Sequence, residues 1–193
     1  MRNLLIAFSG MDGSGKTTLA KQLEEYLKKK GFHVFFKHAH GYAISQDSFA
    51  IKENSLQRFR WLFALFSPYI LLDSFYTYYF KYRPILHKNT LICDRYFYDK
   101  IARLMFYGIC NQALAKIYLF LVPRSNISFL LDVDVKSALA RKSEYSESEL
   151  KRFREIYLFI AEFLKIPIIN TTSSQKTSVQ KMIKYIDILF KND

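Results

Sequence analysis

Cysteine is nearly missing from this 193-residue sequence; Cys93 and Cys110 are the two present, in neither a C-x-x-C nor a zinc-type spacing. They are too few for a disulfide framework, so a reducing, intracellular setting is expected. Glycine and proline are scarce as well, at 6 and 4 residues, which excludes collagen-like and linker-like chains. With half the residues hydrophobic and 17% aromatic, a largely disordered chain is excluded too. Acidic residues are outnumbered, 17 against 29 Lys and Arg, giving a net charge of +12. Such a field favours anionic partners, whether nucleotides, nucleic acid or phospholipid surfaces, without choosing among them. The apolar run after Met1-Arg2-Asn3 is five residues long, too short for the core of a signal peptide, and no small-residue cleavage site follows. No export signal is expected. The length suits one domain over residues 1–193 with a core of its own.

One stretch reaches the length of a membrane span: Trp61 to Phe80, twenty residues in which Asp73 is the single charge. Pro68 interrupts it, Tyr and Ser recur in its second half, and Asp73 would be costly in lipid. It reads as two abutting core helices, with no membrane partner.

Five short apolar runs read as buried strands: Leu4 to Phe8, His33 to Phe36, Thr90 to Cys93, Ile127 to Leu131 and Pro167 to Ile169. Helical patterns lie between them. Leu19, Leu23 and Leu27 recur every fourth residue before Lys28-Lys29-Lys30 and Gly31, a basic last turn followed by a glycine stop. Val179, Met182, Ile183, Ile186 and Phe190 trace a second stripe. Strands apolar on both faces, alternating with helices, imply an open α/β fold with a parallel sheet covered on both sides. Ligands of such folds bind beyond the carboxyl ends of the strands.

Gly10-Met11-Asp12-Gly13-Ser14-Gly15-Lys16-Thr17 matches G-x-x-x-x-G-K-[ST] directly after the first strand and at the opening of the first helix. Glycines there let backbone N–H groups turn inward around phosphate oxygens, and the helix N-terminus adds its positive end. Lys16 would reach the terminal phosphates and the Thr17 hydroxyl would ligate Mg²⁺. A phosphate loop identifies a bound triphosphate but not the group that receives the phosphoryl. No N-K-x-D base-reading motif is present, which argues against a GTPase switch. Asp94 and Arg95 follow the strand Leu91-Ile92-Cys93. That position suits Asp94 to Mg²⁺, directly or through water, and Arg95 to a second phosphate, for which its planar fork of donors is fitted.

Gly10 to Thr18, Asp94-Arg95-Tyr96, Leu131-Asp132-Val133-Asp134 and Ala138-Leu139-Ala140-Arg141 together resemble thymidylate kinases in order and spacing along nearly the whole chain. The resemblance implies a P-loop kinase fold: a five-stranded parallel sheet, helices on both faces, and a short helical lid at about residues 136–154. It implies a cytoplasmic, Mg²⁺-dependent enzyme that moves the γ-phosphoryl group of ATP onto dTMP to give dTDP, commonly as a homodimer. By the same resemblance, ATP would be held by Gly10, Asp12, Gly13, Ser14, Gly15, Lys16, Thr17 and Thr18, with Arg141 covering its adenine. On the acceptor side, Asp12 would meet the 3′-hydroxyl and Arg95 would clamp the phosphate, with Tyr96, Asp99 and Arg103 beside them.

The lid sequence Arg141-Lys142-Ser143-Glu144-Tyr145-Ser146-Glu147-Ser148-Glu149 is followed by Lys151, Arg152 and Arg154. Some thymidylate kinases carry an Arg inside the phosphate loop; Gly13 stands at that place here. The transition-state cation is therefore expected from the lid, Arg141 and Lys142 first and Arg152 or Arg154 next.

Several positions depart from the family pattern where the acceptor base is chosen. Asp73-Ser74 stands where an Arg usually reads the thymine edge. His38-Ala39-His40-Gly41 replaces Arg-Glu-Pro-Gly, while Asp99 and Ala102-Arg103 replace a Ser and an Ala-Tyr or Ala-Phe pair. Stacking on rings such as Trp61, Phe66 and Tyr69 is expected to matter, and specificity to be broad or unusual. His38 and His40 form an H-x-H pair with no further metal ligand evident, so a phosphate or hydroxyl contact is preferred for them. The alternatives are a kinase of another nucleotide, a nucleoside or a sugar phosphate, and an ATP-binding regulatory protein without transfer. A nucleic-acid role rests on charge and rings alone, and no stable nucleic-acid partner is expected.

Overall fold

Alternation within the strands determines which helices lie on which face. The computed structural model describes residues 3–38, 67–141, 145–172 and 174–191. In chain order these form β1 (Leu5–Ser9), α1 (Lys16–Lys29), β2 (Val34–His38), α2 (Tyr69–Tyr76), a wide π-type segment (Thr77–Tyr82) and α3 (Arg83–Leu86). Then come β3 (Thr90–Asp94), α4 (Phe97–Phe106), α5 (Gln112–Leu121), β4 (Ile127–Asp132), α6 (Val135–Arg141), α7 (Glu147–Leu164), β5 (Ile168–Asn170) and α8 (Gln175–Lys191). The five strands form one sheet in the order β2-β3-β1-β4-β5, every neighbouring pair parallel. All five expected strands are present, within a residue or two of their expected bounds.

Leu4, Ile6 and Phe8 point to one face, where Leu19, Leu23 and Leu27 of α1 and Met182 and Ile186 of α8 cover them. Leu5 and Ala7 point to the other, with Leu91, Cys93 and Leu130 of the neighbouring strands, under Ile101 and Ala102 of α4, Leu119 of α5 and Ile160 of α7. Helix α1 stops as its sequence implies: Lys28 and Lys29 occupy the last turn, and Gly31 takes φ +86° while its N–H donates to the Lys28 carbonyl.

Parallel register aligns the carboxyl ends of the strands. Phe8 is level with Asp94, and His38 with Asp94 on the other side. The ends of β1, β2 and β3 therefore bring the glycine-rich loop, His38 and Asp94-Arg95 to one edge of the sheet, and Asp132 and Asn170 close β4 and β5 at the same edge.

The aromatic segment needs a correction. Its part at 61–66 lies outside the described residues. From Tyr69 onward the chain is helical through the π-type segment, with Pro68 immediately before the first turn. Nor is it simply core: Ser74, Thr77 and Tyr82 are buried, but Leu72 is 68% and Phe80 70% exposed, and Tyr76 and Tyr79 face outward with them. Among the described residues no helix is long and apolar enough to cross a membrane.

Two residues expected against the acceptor are buried. Tyr96 is buried, its ring against Phe97 and Tyr82 and its hydroxyl donating to the Pro123 carbonyl at 2.9 Å. The buried Asp99 carboxylate accepts from Ser9 Oγ at 2.7 Å, the Tyr96 N–H at 2.8 Å and Tyr157 Oη at 2.8 Å. It thus joins the end of β1, the start of α4 and the middle of α7, each partner being a group that would be costly to bury unpaired. Burial and then the Asp99 charge hold the Tyr157 phenol well above its usual pKa, so it stays a donor. Tyr157→Phe should therefore lower stability by about 1.5–3 kcal/mol, the range for a hydrogen bond to a charged group. A urea titration would show it as a lower midpoint at unchanged slope, and an unmoved midpoint would mean Asp99 does not depend on this donor.

Candidate active site

The loop after β1 needs glycine at the points where it is tightest. Gly10 has φ +147°, and a Cβ there would lie 2.5 Å from the Leu131 carbonyl oxygen. Gly13 has φ +81°, with the Ala138 carbonyl oxygen 2.9 Å from a Cβ. The space that a side chain at position 13 would leave through is therefore taken by α6, which packs on the loop and delivers Arg141. Asp134 sets the start of that helix, its Oδ1 accepting from the Ser137 N–H at 2.9 Å. Helix α1 starts from Gly15 with neither a side-chain cap nor an acid in its first turn, leaving its first N–H groups to an external anion.

Lys16 is 6% exposed and curls back over the loop, donating to the carbonyls of Gly10 and Met11 at 2.8 Å each. Asp12 Oδ1 lies 3.8 Å from its Nζ. Burial, reinforced by the Arg95 charge, lowers its pKa to about 8, with Asp12, Asp99 and Asp94 opposing. Arg95 stands at the first residue after β3 with φ +78°, a left-handed conformation rare for a side chain of this size, and its N–H donates to the Phe8 carbonyl at 3.0 Å. Strained backbone of this kind persists where its surroundings over-determine it, and functional sites are where it gathers. The turn aims the guanidinium across the sheet end to pair with Asp12. Burial pulls the Arg95 pKa down, but the negative charges of Asp99 and Asp12 outweigh it.

Asp94 is fully buried. Its Oδ2 accepts from Thr17 Oγ1 at 2.5 Å and faces His38 Nδ1 at 2.6 Å. Among the described residues its Oδ1 has no partner, although it is buried. An orphaned carboxylate oxygen beside a threonine hydroxyl is a set of hard oxygen donors that fits Mg²⁺. Among the described residues no three His, Cys, Asp or Glu gather. His38, expected on a phosphate or hydroxyl, contacts this carboxylate instead; His40 lies outside the described residues.

The lid cations separate. Arg141 Nη1 donates to the Gly13 carbonyl at 3.1 Å and Nη2 to the Thr171 carbonyl at 3.3 Å, bridging the phosphate loop and the exit of β5. Lys142 lies outside the described residues. Arg154 does not reach toward the loop: it forks onto Asp132 at 2.7 and 2.8 Å, an α7-to-β4 clamp. Arg152 lies over the Phe106 ring and Lys151 pairs with Glu147 one turn away. Arg103 is half-buried, and its charge bears on Tyr145. Tyr145, not among the expected site residues, feels the charges of Asp12 and Arg95 as well. Only its place between a basic and an acidic lid segment hinted at it. Asp73, where a base-reading Arg was expected, pairs with Lys100 of α4.

The chain matches the family model described as "Thymidylate kinase" over residues 8–183. It is 31% identical to a probable thymidylate kinase of Pyrococcus horikoshii, over 90% of this chain and 91% of that one. It is 30% identical to the one of Methanocaldococcus jannaschii, over 98% and 97% respectively. A crystal structure of thymidylate kinase from Ehrlichia chaffeensis, 21% identical, superposes with a TM-score of 0.63 over 96% of this chain and all of that one, a likeness of fold.

A buried lysine near neutrality should report polyanion binding directly. A nucleoside triphosphate raises the Lys16 pKa from about 8, so binding takes up little proton at pH 7.5 and most of one at pH 9, while affinity falls as pH rises through that window. Calorimetry in buffers of different ionisation enthalpy measures the uptake; equal uptake by wild type and Lys16→Met would assign it to another group.

Proposed function

Because the chain belongs to the thymidylate kinase family, we propose that it transfers the terminal phosphoryl group of ATP to dTMP, giving dTDP. The observation that carries the reading is the pairing of Arg95 with Asp12 beside the Lys16 loop, a half-buried and a buried cation at adjoining strand ends. A kinase of this type must hold two polyanions end to end. Lys16, with the N–H groups of the loop and of the α1 start, meets the β and γ phosphates of ATP. Arg141 already spans the Gly13 and Thr171 carbonyls and covers the adenine from there. Arg95 moves from Asp12 to the acceptor phosphate, which frees Asp12 to accept a hydrogen bond from the sugar hydroxyl. Tyr145 and Arg103 close over that side. Thr17 and Asp94 hold Mg²⁺, which supplies charge neutralisation between the two phosphates when bound. Attack of the acceptor phosphate oxygen breaks the bond from the γ-phosphorus to the β,γ-bridging oxygen and leaves ADP, with no covalent enzyme intermediate.

The same proposal includes an assembly. Leu72, Phe75, Tyr76, Tyr79 and Phe80 form an outward apolar and aromatic stripe along α2 and the π-type segment, a surface suited to a second copy of this chain. Cys93 and Cys110 are free, buried thiols, which supports a cytoplasmic setting.

Arg95→Ala should reduce turnover of dTMP by about 10²-fold or more while the melting temperature changes little. Steady-state rates across dTMP, dUMP, dCMP, dAMP and dGMP test the acceptor; dTMP at background with another fast would replace it. Phe80→Glu together with Leu72→Glu should convert a dimer into a monomer in sedimentation velocity, and a monomeric wild type would remove the assembly.

A further inference from the structure

We infer that His38 is a positioning residue that fixes the orientation of the Asp94 carboxylate beside Thr17, where the two would hold the divalent ion. The inference rests on the proposed role of Asp94 and goes beyond it. His38 is the last residue of β2 and lies level with Asp94, the last of β3, so the sheet fixes the two backbones side by side. Nδ1 stands 2.6 Å from Oδ2, and because a carboxylate only accepts, Nδ1 carries the proton of this bond. Thr17 Oγ1 donates to the same oxygen at 2.5 Å. Both donors on one oxygen settle the rotation of the carboxylate.

The two donors are not equivalent. The Thr17 hydroxyl would share its oxygen lone pair with the ion while its O–H donates to Oδ2, whereas the His38 Nδ1–H serves the carboxylate alone. Partners that hydrogen-bond a metal-ligating group set its orientation and basicity, and removing one typically costs 10–100-fold in metal affinity. His38 is about one-third exposed, so its ring is replaceable without opening the core.

The test is calorimetric binding of a non-hydrolysable ATP analogue, with Mg²⁺ and in EDTA, to wild type, His38→Ala, His38→Asn and Asp94→Asn. The expected result for His38→Ala is at least a tenfold weaker Mg²⁺-dependent gain in affinity, with binding in EDTA unchanged. His38→Asn, whose amide can donate from near the Nδ1 position, should recover most of it. An Mg²⁺ gain at the wild-type level in His38→Ala, with Asp94→Asn impaired, overturns the inference and leaves the role of Asp94 standing. An unimpaired Asp94→Asn overturns both. Weakening in EDTA equal to that in Mg²⁺ also overturns it, since that would be a structural effect. Should His38→Ala not fold, histidine ¹⁵N spectra of the wild type decide: a proton on Nε2 rather than Nδ1 in the Mg²⁺ complex contradicts the assignment.

Discussion

Two cations, Lys16 and Arg95, are held largely out of water at the neighbouring carboxyl ends of β1 and β3, and the protein meets their charge with its own groups. Asp12 faces both of them, and the Gly10 and Met11 carbonyls take the remaining donors of Lys16. Everything nearby serves that arrangement. Gly10 and Gly13 let the loop close against Leu131 and Ala138, the Arg95 backbone adopts a left-handed turn to aim its side chain, and Asp99 underpins the pair from below. The carboxylates and carbonyls occupy the cations in the free protein, and under the proposed function incoming phosphates take their place. Little new charge then has to be desolvated at the moment of reaction, which is where preorganised sites gain most.

The parallel sheet was legible because strands buried on both faces are nearly continuous apolar runs, and the phosphate loop because its backbone admits only glycine at its tightest points. The place of Arg95 at the carboxyl edge of the sheet was legible by topology: it stands just past a central strand. The interior contacts of Tyr96 and Asp99 were not legible, for a physical reason. A carboxylate at the third position of a helix is as much a signature of an N-terminal cap as of a ligand contact, and Asp99 does accept the Tyr96 N–H. Arg154 and Tyr145 depend on contacts more than twenty residues or a domain face away, which no local pattern reports.

The aromatic segment shows the limit of reading burial from hydropathy. Its rings alternate between Tyr82, packed under β3 beside Phe97, and Phe80 on the outside, because a helix lying across a sheet buries one side only. The long apolar run that resembled a membrane span is in this part an amphipathic surface element with an aromatic outer side.

The most direct measurement is a crystal structure with a bisubstrate analogue in which adenosine and thymidine are joined 5′ to 5′ by a polyphosphate, in the presence of Mg²⁺. The account predicts that Lys16 leaves the Gly10 and Met11 carbonyls for the polyphosphate on the adenosine side, and that Arg95 leaves Asp12 for the phosphate next to thymidine. An analogue bound with Arg95 still paired to Asp12, and its thymidine-side phosphate held by other residues, would contradict it.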